Sequence, residues 1–380
     1  MEPIRLGMVG GGQDSFIGAV HRIAARLDGD FVLVAGALSS TPERARDSGR
    51  ALGLDPSRSY ASFAEMAQAE SARPDGIRAV AIVTPNHLHA DAAIAFLQRG
   101  IHVICDKPLA ATPDQAARLA AAVRASPALF VLTHNYSGYP MVREARAIIA
   151  RGELGCLRVV QVEYAQDWLT EAVDSKQAAW RTDPARSGPG GATGDIGSHA
   201  HQLACFVTGQ RVAQLAADLH SFVLGRALDD NAHVLLRFDG GARGMLWCSQ
   251  VAPGNANALR LRVYGERGGL DWEQERPDDL VMTLHGEPSR TLRRGGPGTA
   301  QAARVPAGHP EGYLEAFATI YADAARAIRA AEAGQSPDLT LLPGLEAGLD
   351  GMRFITACTR SSAANAGWVA LDPAELHERS

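Results

Sequence analysis

Asp195 and His199 stand four residues apart behind the run Gly190-Gly191-Ala192-Thr193-Gly194. On a helix that spacing puts both side chains on one face. An imidazole that titrates near neutrality suits removal of a proton from a hydroxyl, and a nearby carboxylate can orient the ring or stabilise the imidazolium. Lys107, within Cys105-Asp106-Lys107-Pro108, offers a cation that can hydrogen-bond the alkoxide formed as a hydride leaves. A third cluster, Gly10-Gly11-Gly12-Gln13-Asp14-Ser15, follows an apolar run and precedes a helical pattern. In that context glycines cradle a dinucleotide pyrophosphate at a helix N-terminus. Gly10 allows the tight turn and Gly12 a close backbone approach. The third position is Ser15, with Gly18 further on, so the turn is expected to be longer than standard.

These residues need elements to hold them. Apolar runs at Ile4–Val9, Phe31–Leu38, Ala79–Thr84, His102–Cys105 and Phe130–Thr133 alternate with Ala-rich helical stretches such as Ala19–Leu27, Pro42–Leu52 and Asp91–Arg99. That alternation predicts a doubly wound parallel sheet whose C-terminal strand ends form the ligand edge. Cofactor contacts are then expected from Gly10, Gly12, Gln13, Ser15, Phe16 and Ile17; from Ser39, Ser40 and Arg44; from Thr84, Pro85, Asn86 and His89; and from Asp106 and Lys107. After a bridging helix over Pro140–Arg151, β-rich segments follow at Leu157–Ala165, Gln214–Val223, Ala232–Phe238, Arg243–Val251, Leu259–Tyr264 and Leu280–Leu284. Tight turns such as Asp239-Gly240-Gly241 make that second sheet mostly antiparallel. The stretch from Arg293 to Ala307 reads as a loop. Two helices, Glu311–Ala333 and Leu345–Ala366, are expected to pack back on the first domain. The fold class is therefore α/β: an N-terminal Rossmann domain over residues 1–135, and an α+β domain with a large open sheet over 136–380.

Composition supports an ordinary globular chain of 380 residues, 46% hydrophobic and 21% charged. A net charge of −5 gives no electrostatic footprint for nucleic acid or an anionic membrane. Five scattered cysteines, never in a C-x-x-C pair, read as buried thiols in a reducing cytosol. With no signal-like or membrane-length apolar stretch, a cytoplasmic protein is expected. His87-x-His89 and His199-x-His201 are i, i+2 pairs with no completing ligand set, so no metal is expected.

Thr84-Pro85-Asn86-His87-Leu88-His89, Cys105-Asp106-Lys107-Pro108 and Gly190-Gly191-Ala192-Thr193-Gly194-Asp195-Ile196-Gly197-Ser198-His199 occur in that order. Here the chain resembles the glucose–fructose oxidoreductase / inositol dehydrogenase (Gfo/Idh/MocA) family, which carries T-P-N-x-x-H, E-K-P and G-G-x-x-x-D-x-G-x-H segments at these places. Aspartate replaces the glutamate of E-K-P and keeps the lysine. The resemblance implies an NAD(P)-dependent dehydrogenase acting on a secondary alcohol of a cyclic polyol or sugar, working as a dimer or tetramer. Lys107, Asp195 and His199 would be catalytic, and Asn135, Tyr136, Trp168, Arg181 and His309 would join them on the substrate side, with Trp180 a further candidate. NAD is the expected cofactor, but Ser39-Ser40 where an acid would hold the ribose leaves NADP open. Two alternatives use the same residues: an NAD-dependent glycoside hydrolase that oxidises transiently and eliminates, and a dinucleotide-sensing regulator without turnover.

Overall fold

The strand Ile4–Gly10 (β1) is buried along nearly its whole length, the requirement of a parallel sheet covered on both faces. In the computed structural model, which describes residues 2–173, 181–297, 299 and 303–371, it is joined by Phe31–Ala37 (β2), Ala79–Val83 (β3), His102–Cys105 (β4) and Phe130–Leu132 (β5). The order is β2-β1-β3-β4-β5 and every pair is parallel. Helices Phe16–Leu27 (α1), Pro42–Ala51 (α2), Phe63–Ser71 (α3), His89–Leu97 (α4) and Pro113–Ala125 (α5) make the crossovers. Three of them begin at a capping side chain. Ser15 caps α1 by accepting the Gly18 N–H, and Thr112 caps α5 by accepting the Gln115 N–H with Pro113 behind it.

Among the described residues the second sheet has nine strands. They are Leu157–Ala165 (β6), Val212–His220 (β7), Asn231–Phe238 (β8), Arg243–Ser249 (β9), Ala258–Gly265 (β10), Gly268–Glu273 (β11), Asp279–Leu284 (β12), Arg290–Arg293 (β13) and Val369–Ala370 (β14), in the order β13-β12-β11-β10-β6-β9-β8-β7-β14. All neighbours run antiparallel except β6 and β9. Alternating burial along β8 and β10 shows one covered face and one open face. Helices Pro140–Ala150 (α6) and Ser198–Thr208 (α7) accompany this sheet, and Gly209 at φ +68° ends α7.

The chain divides into two compact units. The first is Met1–Asn135 with Tyr313–Leu349; the second is Tyr136–Gly312 with Asp350–Ser380. Helix Tyr313–Glu332 (α8) belongs to the first unit, where Phe317, Ile320, Tyr321, Ala324 and Ile328 enter one core with Ile4, Leu6, Met8, Val20 and Phe31. Helix Leu345–Ala363 (α9) starts in the first unit and passes to the second after Leu349. The thiols also divide: Cys105, Cys248 and Cys358 are buried, but Cys156 is exposed, because it sits in the turn that opens β6. Among the described residues no helix is long and apolar enough to cross a membrane.

Candidate functional site

In the first unit the expected cofactor residues collect at the C-terminal ends of β1 to β4. Gly10 and Gly11 have φ of +75° and +69°, a conformation side chains rarely adopt, so the chain can turn sharply out of β1. Gly18 answers the question raised by Ser15. A Cβ on Gly18 would stand 2.4 Å from Gly11 Cα, so it is Gly18 that lets α1 close on the turn. Gly18→Ala is expected to push α1 off the turn and cost about 1–3 kcal/mol, read as a lower denaturant midpoint. Gly12 has a different reason from the one the sequence suggested. It is buried, its N–H donates to Leu38 O (3.2 Å), and a Cβ there would stand 2.6 Å from that oxygen. Close approach to the end of β2 already accounts for this glycine.

Gln13 is exposed and its N–H donates to Ser48 Oγ (3.2 Å); Phe16 is also exposed and stacks on Tyr313, with Ile17 half-buried beside it. Ser39 turns back on Thr41, accepting its N–H at 3.3 Å, while Ser40 and Arg44 are exposed. No carboxylate side chain stands among Leu38–Thr41 at the end of β2. Thr84 Oγ1 and Asn135 Nδ2 are buried polar atoms without a hydrogen-bond partner among the described residues. Such orphans fit a ligand that brings its own polar groups. With the glycine turn and the capped N-terminus of α1, the first unit fits a bound dinucleotide.

His89 must be corrected. Its ring is buried and both nitrogens face carbonyl oxygens, Nδ1 that of Pro108 at 2.8 Å and Nε2 that of Thr84 at 2.9 Å. It ties the end of β3 to the turn after β4 and has no nitrogen left for a cofactor. Burial pushes its imidazole pKa down, against the pull of those carbonyls and of Asp106. Asp106 Oδ1 accepts the Lys107 N–H and the Thr133 hydroxyl, both at 3.0 Å, so its carboxylate fixes the turn that carries Lys107. Pro85 and Asn86 open the same edge, with Asn86 buried.

In the second unit, Asp195 and His199 do not lie on one regular α-helix. Thr193–Gly197 is a π-helical turn that runs into α7 at Ser198. The wider turn still leaves i and i+4 on about the same side. What anchors it is Asp229, which sequence reasoning missed. Its carboxylate accepts the Gly191 N–H (2.7 Å), the Thr193 N–H (2.8 Å) and the Thr193 hydroxyl (2.7 Å). A Cβ on Gly191 would collide with Asp229 O at 2.0 Å. Burial pushes the Asp229 carboxyl pKa up, and the bonds from Thr193 and Gly191 limit the rise.

Asp195 Oδ2 accepts Arg181 Nε (3.2 Å) and Gln250 Nε2 (3.0 Å). The His199 ring, 8% exposed, meets Tyr136 edge-on with centroids 4.9 Å apart, and Tyr164 lies 6.3 Å away. Behind them runs an amide and phenol network. Tyr164 donates to Asn257 Oδ1 (2.8 Å), Gln166 Nε2 donates to the same oxygen (2.7 Å), and Trp168 Nε1 donates to Gln166 Oε1 (2.9 Å). The Tyr136 and Tyr164 hydroxyls are 2.5 Å apart. Because Tyr164 gives its proton to Asn257, Tyr136 is the donor between them. Arg181 also lies over the Trp168 ring at 6.0 Å.

The second unit thus gathers Tyr136, Trp168, Arg181, Asp195 and His199, and adds Tyr164, Gln166, Gln250 and Asn257. These additions share a signal: they lie at the adjoining ends of β6, β9 and β10, one edge of the sheet. His309 is not part of the gathering by any described bond; its side chain is exposed and its carbonyl accepts from Arg294. Trp180 lies outside the described residues. Lys107 and Asn135 belong to the first unit.

A model of the NAD-binding Rossmann fold of the GFO/IDH/MocA oxidoreductase family matches residues 4–134, and one of the GFO/IDH/MocA C-terminal domain matches residues 142–271. The crystal structure of an oxidoreductase from Sinorhizobium meliloti is 56% identical with a TM-score of 0.88, covering 97% of this chain and 100% of that one. An inositol dehydrogenase homologue from Azotobacter vinelandii, complexed with NADH and myo-inositol, is 38% identical with a TM-score of 0.90, covering 97% and 98%. Levoglucosan dehydrogenase of Pseudarthrobacter phenanthrenivorans is 30% identical over 75% of this chain and 77% of its own.

Proposed function

The chain is an NAD-binding oxidoreductase of the Gfo/Idh/MocA family, and from that premise we propose that it moves a hydride between nicotinamide and a secondary alcohol of a cyclic polyol or sugar. The observation that carries the reading is the second unit's cluster. A histidine seated against Tyr136, with Asp195 held by Arg181 and Gln250, is a proton-handling group amid amides and phenols that suit hydroxyls. The myo-inositol complex of the Azotobacter homologue and the levoglucosan dehydrogenase relative support the substrate class.

When bound, the dinucleotide supplies the hydride acceptor or donor. Gly10, Gly11 and the N-terminus of α1 would hold its pyrophosphate, and Thr84, Asn86, Asp106 and Asn135 would flank the rest. His199 takes the hydroxyl proton at one of its ring nitrogens as the C–H bond is oxidised, and returns it in reduction. Asp195 is fixed by two donors on one oxygen, so it supports an imidazolium without being the proton carrier. Lys107 stabilises the alkoxide. NAD is the proposed cofactor, and Ser39-Ser40 with exposed Arg44 leaves room for a 2′-phosphate. Self-association as a dimer or tetramer belongs to the same proposal, supported by the open sheet face on which Leu235, Met245 and Tyr264 are 51%, 49% and 41% exposed.

The test is a matrix of NAD and NADP against inositols, aldoses and anhydrosugars. Reduced cofactor is expected to accumulate with at least one cyclic polyol or sugar. No reduction of either cofactor anywhere in the panel would overturn the proposal.

A further inference from the structure

His21 is fully buried in the first unit, six residues into α1, and the mechanism above makes no use of it. Its ring lies between Phe317 and Tyr321 of α8, with centroids 5.0 and 5.8 Å away. Nδ1 is 2.8 Å from the Tyr321 hydroxyl. Among the described residues Nε2 has no partner at hydrogen-bond distance, and it faces Asp106 Oδ1 at 3.9 Å. That is the oxygen that accepts the Lys107 N–H and the Thr133 hydroxyl.

Donor and acceptor rules leave one arrangement. A bare Nε2 lone pair facing a carboxylate would repel it, so Nε2 carries a proton. In the neutral ring Nδ1 is then an acceptor and Tyr321 must be the donor; in the imidazolium Nε2 still keeps its proton. Burial, with Asp106 nearby, pushes the Tyr321 phenol pKa far up, so it remains a donor. We infer that His21 is a positioning residue for the Lys107 turn: Tyr321 fixes its tautomer, and its Nε2–H faces the Asp106 carboxylate on which the turn hangs.

The aspartate in place of the glutamate of E-K-P now has a structural counterpart. The short carboxylate stays at the turn, and the imidazole comes to meet it from α1. Burial pushes Asp106 up, but His21, the charge of Lys107 and then His89 outweigh it and hold the carboxyl well below its usual range. The groups facing this pair are thus Tyr321 from α8, Lys107 from the turn itself and His89 from α4. The inference rests on the proposed role of Lys107.

The sign follows. Asp106 titrates lower folded than unfolded, so its support is present above the unfolded carboxylate value and is lost as pH falls through the folded one. Without His21 the folded value rises, and loss of support moves into the measurable range. The experiment follows dinucleotide affinity by NADH fluorescence against pH for the parent, His21→Leu and His21→Gln, alongside 15N spectra of the parent's imidazoles. In His21→Leu the acid limb of affinity is expected to move up by about one to two pH units. His21→Gln, whose amide can place an N–H near the Nε2 position, is expected to restore most of that shift. The parent ring is expected to show a protonated Nε2. A bare Nε2, or acid limbs that coincide in all three proteins while only the unfolding midpoint falls, would overturn the inference. If His21→Leu does not fold, the tautomer and the His21→Gln limb decide. None of these readouts needs turnover, so an inactive substrate panel would strike the proposed reaction and leave His21 to be judged separately.

Discussion

Replacing His199 by alanine is expected to lower kcat by about 10²–10⁴-fold, the range for losing a positioned general base. The ring's neighbours are Tyr136 and Tyr164, whose hydroxyl contacts lie with each other and Asn257. The Tyr136 phenol is no effective base near neutrality: burial pushes its pKa up despite its bonds to Tyr164 and Asn257. Tyr136 is therefore not suited to take over the proton. Asp195 is engaged on Oδ2 by Arg181 and Gln250. Dinucleotide affinity is expected to stay within about twofold, because Gly10–Ser15, Thr84 and Asp106 belong to the other unit. Added imidazole should recover part of the rate by entering the space the ring vacates. Steady-state kinetics with NADH fluorescence titration checks all three. A variant that keeps its turnover would remove His199 from the mechanism.

The legible part of this protein is the part where pattern is local. Glycines after an apolar strand, Pro at helix starts and the alternation of strand with Ala-rich helix are nearest-neighbour signals, and they located all five strands of the first sheet within a residue or two. β11 escaped because it begins Gly268-Gly269, a pair that local propensity reads as a turn. In the sheet those glycines are explained by neighbours: a Cβ on Gly268 would stand 2.5 Å from Thr283 O on β12, and one on Gly269 2.7 Å from the Tyr264 ring on β10. α8 was legible as a helix expected to pack back on the first domain, but the residues it meets there were not. Its apolar face fits a core whose strands lie about 300 residues earlier, as in the bond between His21 and Tyr321.

The candidate site divides in the same way. Asp195 and His199 announce themselves by spacing, and Lys107 by its motif. Gln166, Gln250 and Asn257 are ordinary polar residues at strand ends until the order β10-β6-β9 brings those ends together. His89 shows the opposite failure. A histidine inside a ligand-edge motif looks like a contact residue, yet two carbonyls consume its nitrogens and make it a clamp.

Asp229→Ala is expected to be the costliest single change outside the reacting groups. The carboxylate accepts three hydrogen bonds from Gly191 and Thr193, which start the π-helical turn, and the Asp229 carbonyl also takes the Ala192 N–H at 2.8 Å. Hydrogen bonds to a charged acceptor contribute about 1.5 kcal/mol or more each, so orphaning two buried N–H donors and a hydroxyl should cost about 3–5 kcal/mol. That is about a fifth or more of the stability of an ordinary domain of about 5–15 kcal/mol. Asparagine should rescue little. Its single oxygen can serve one side, but its NH₂ would then point at a donor; the Thr193 hydroxyl can rotate to accept, whereas the backbone N–H cannot. The loss should reach catalysis, because the turn that Asp229 anchors carries Asp195 and leads into His199. Denaturant unfolding of the wild type, Asp229→Ala and Asp229→Asn, with kcat measured well below each midpoint, checks both effects. Wild-type stability in Asp229→Asn would show that one acceptor suffices, and that the turn is held by its own helical bonds instead.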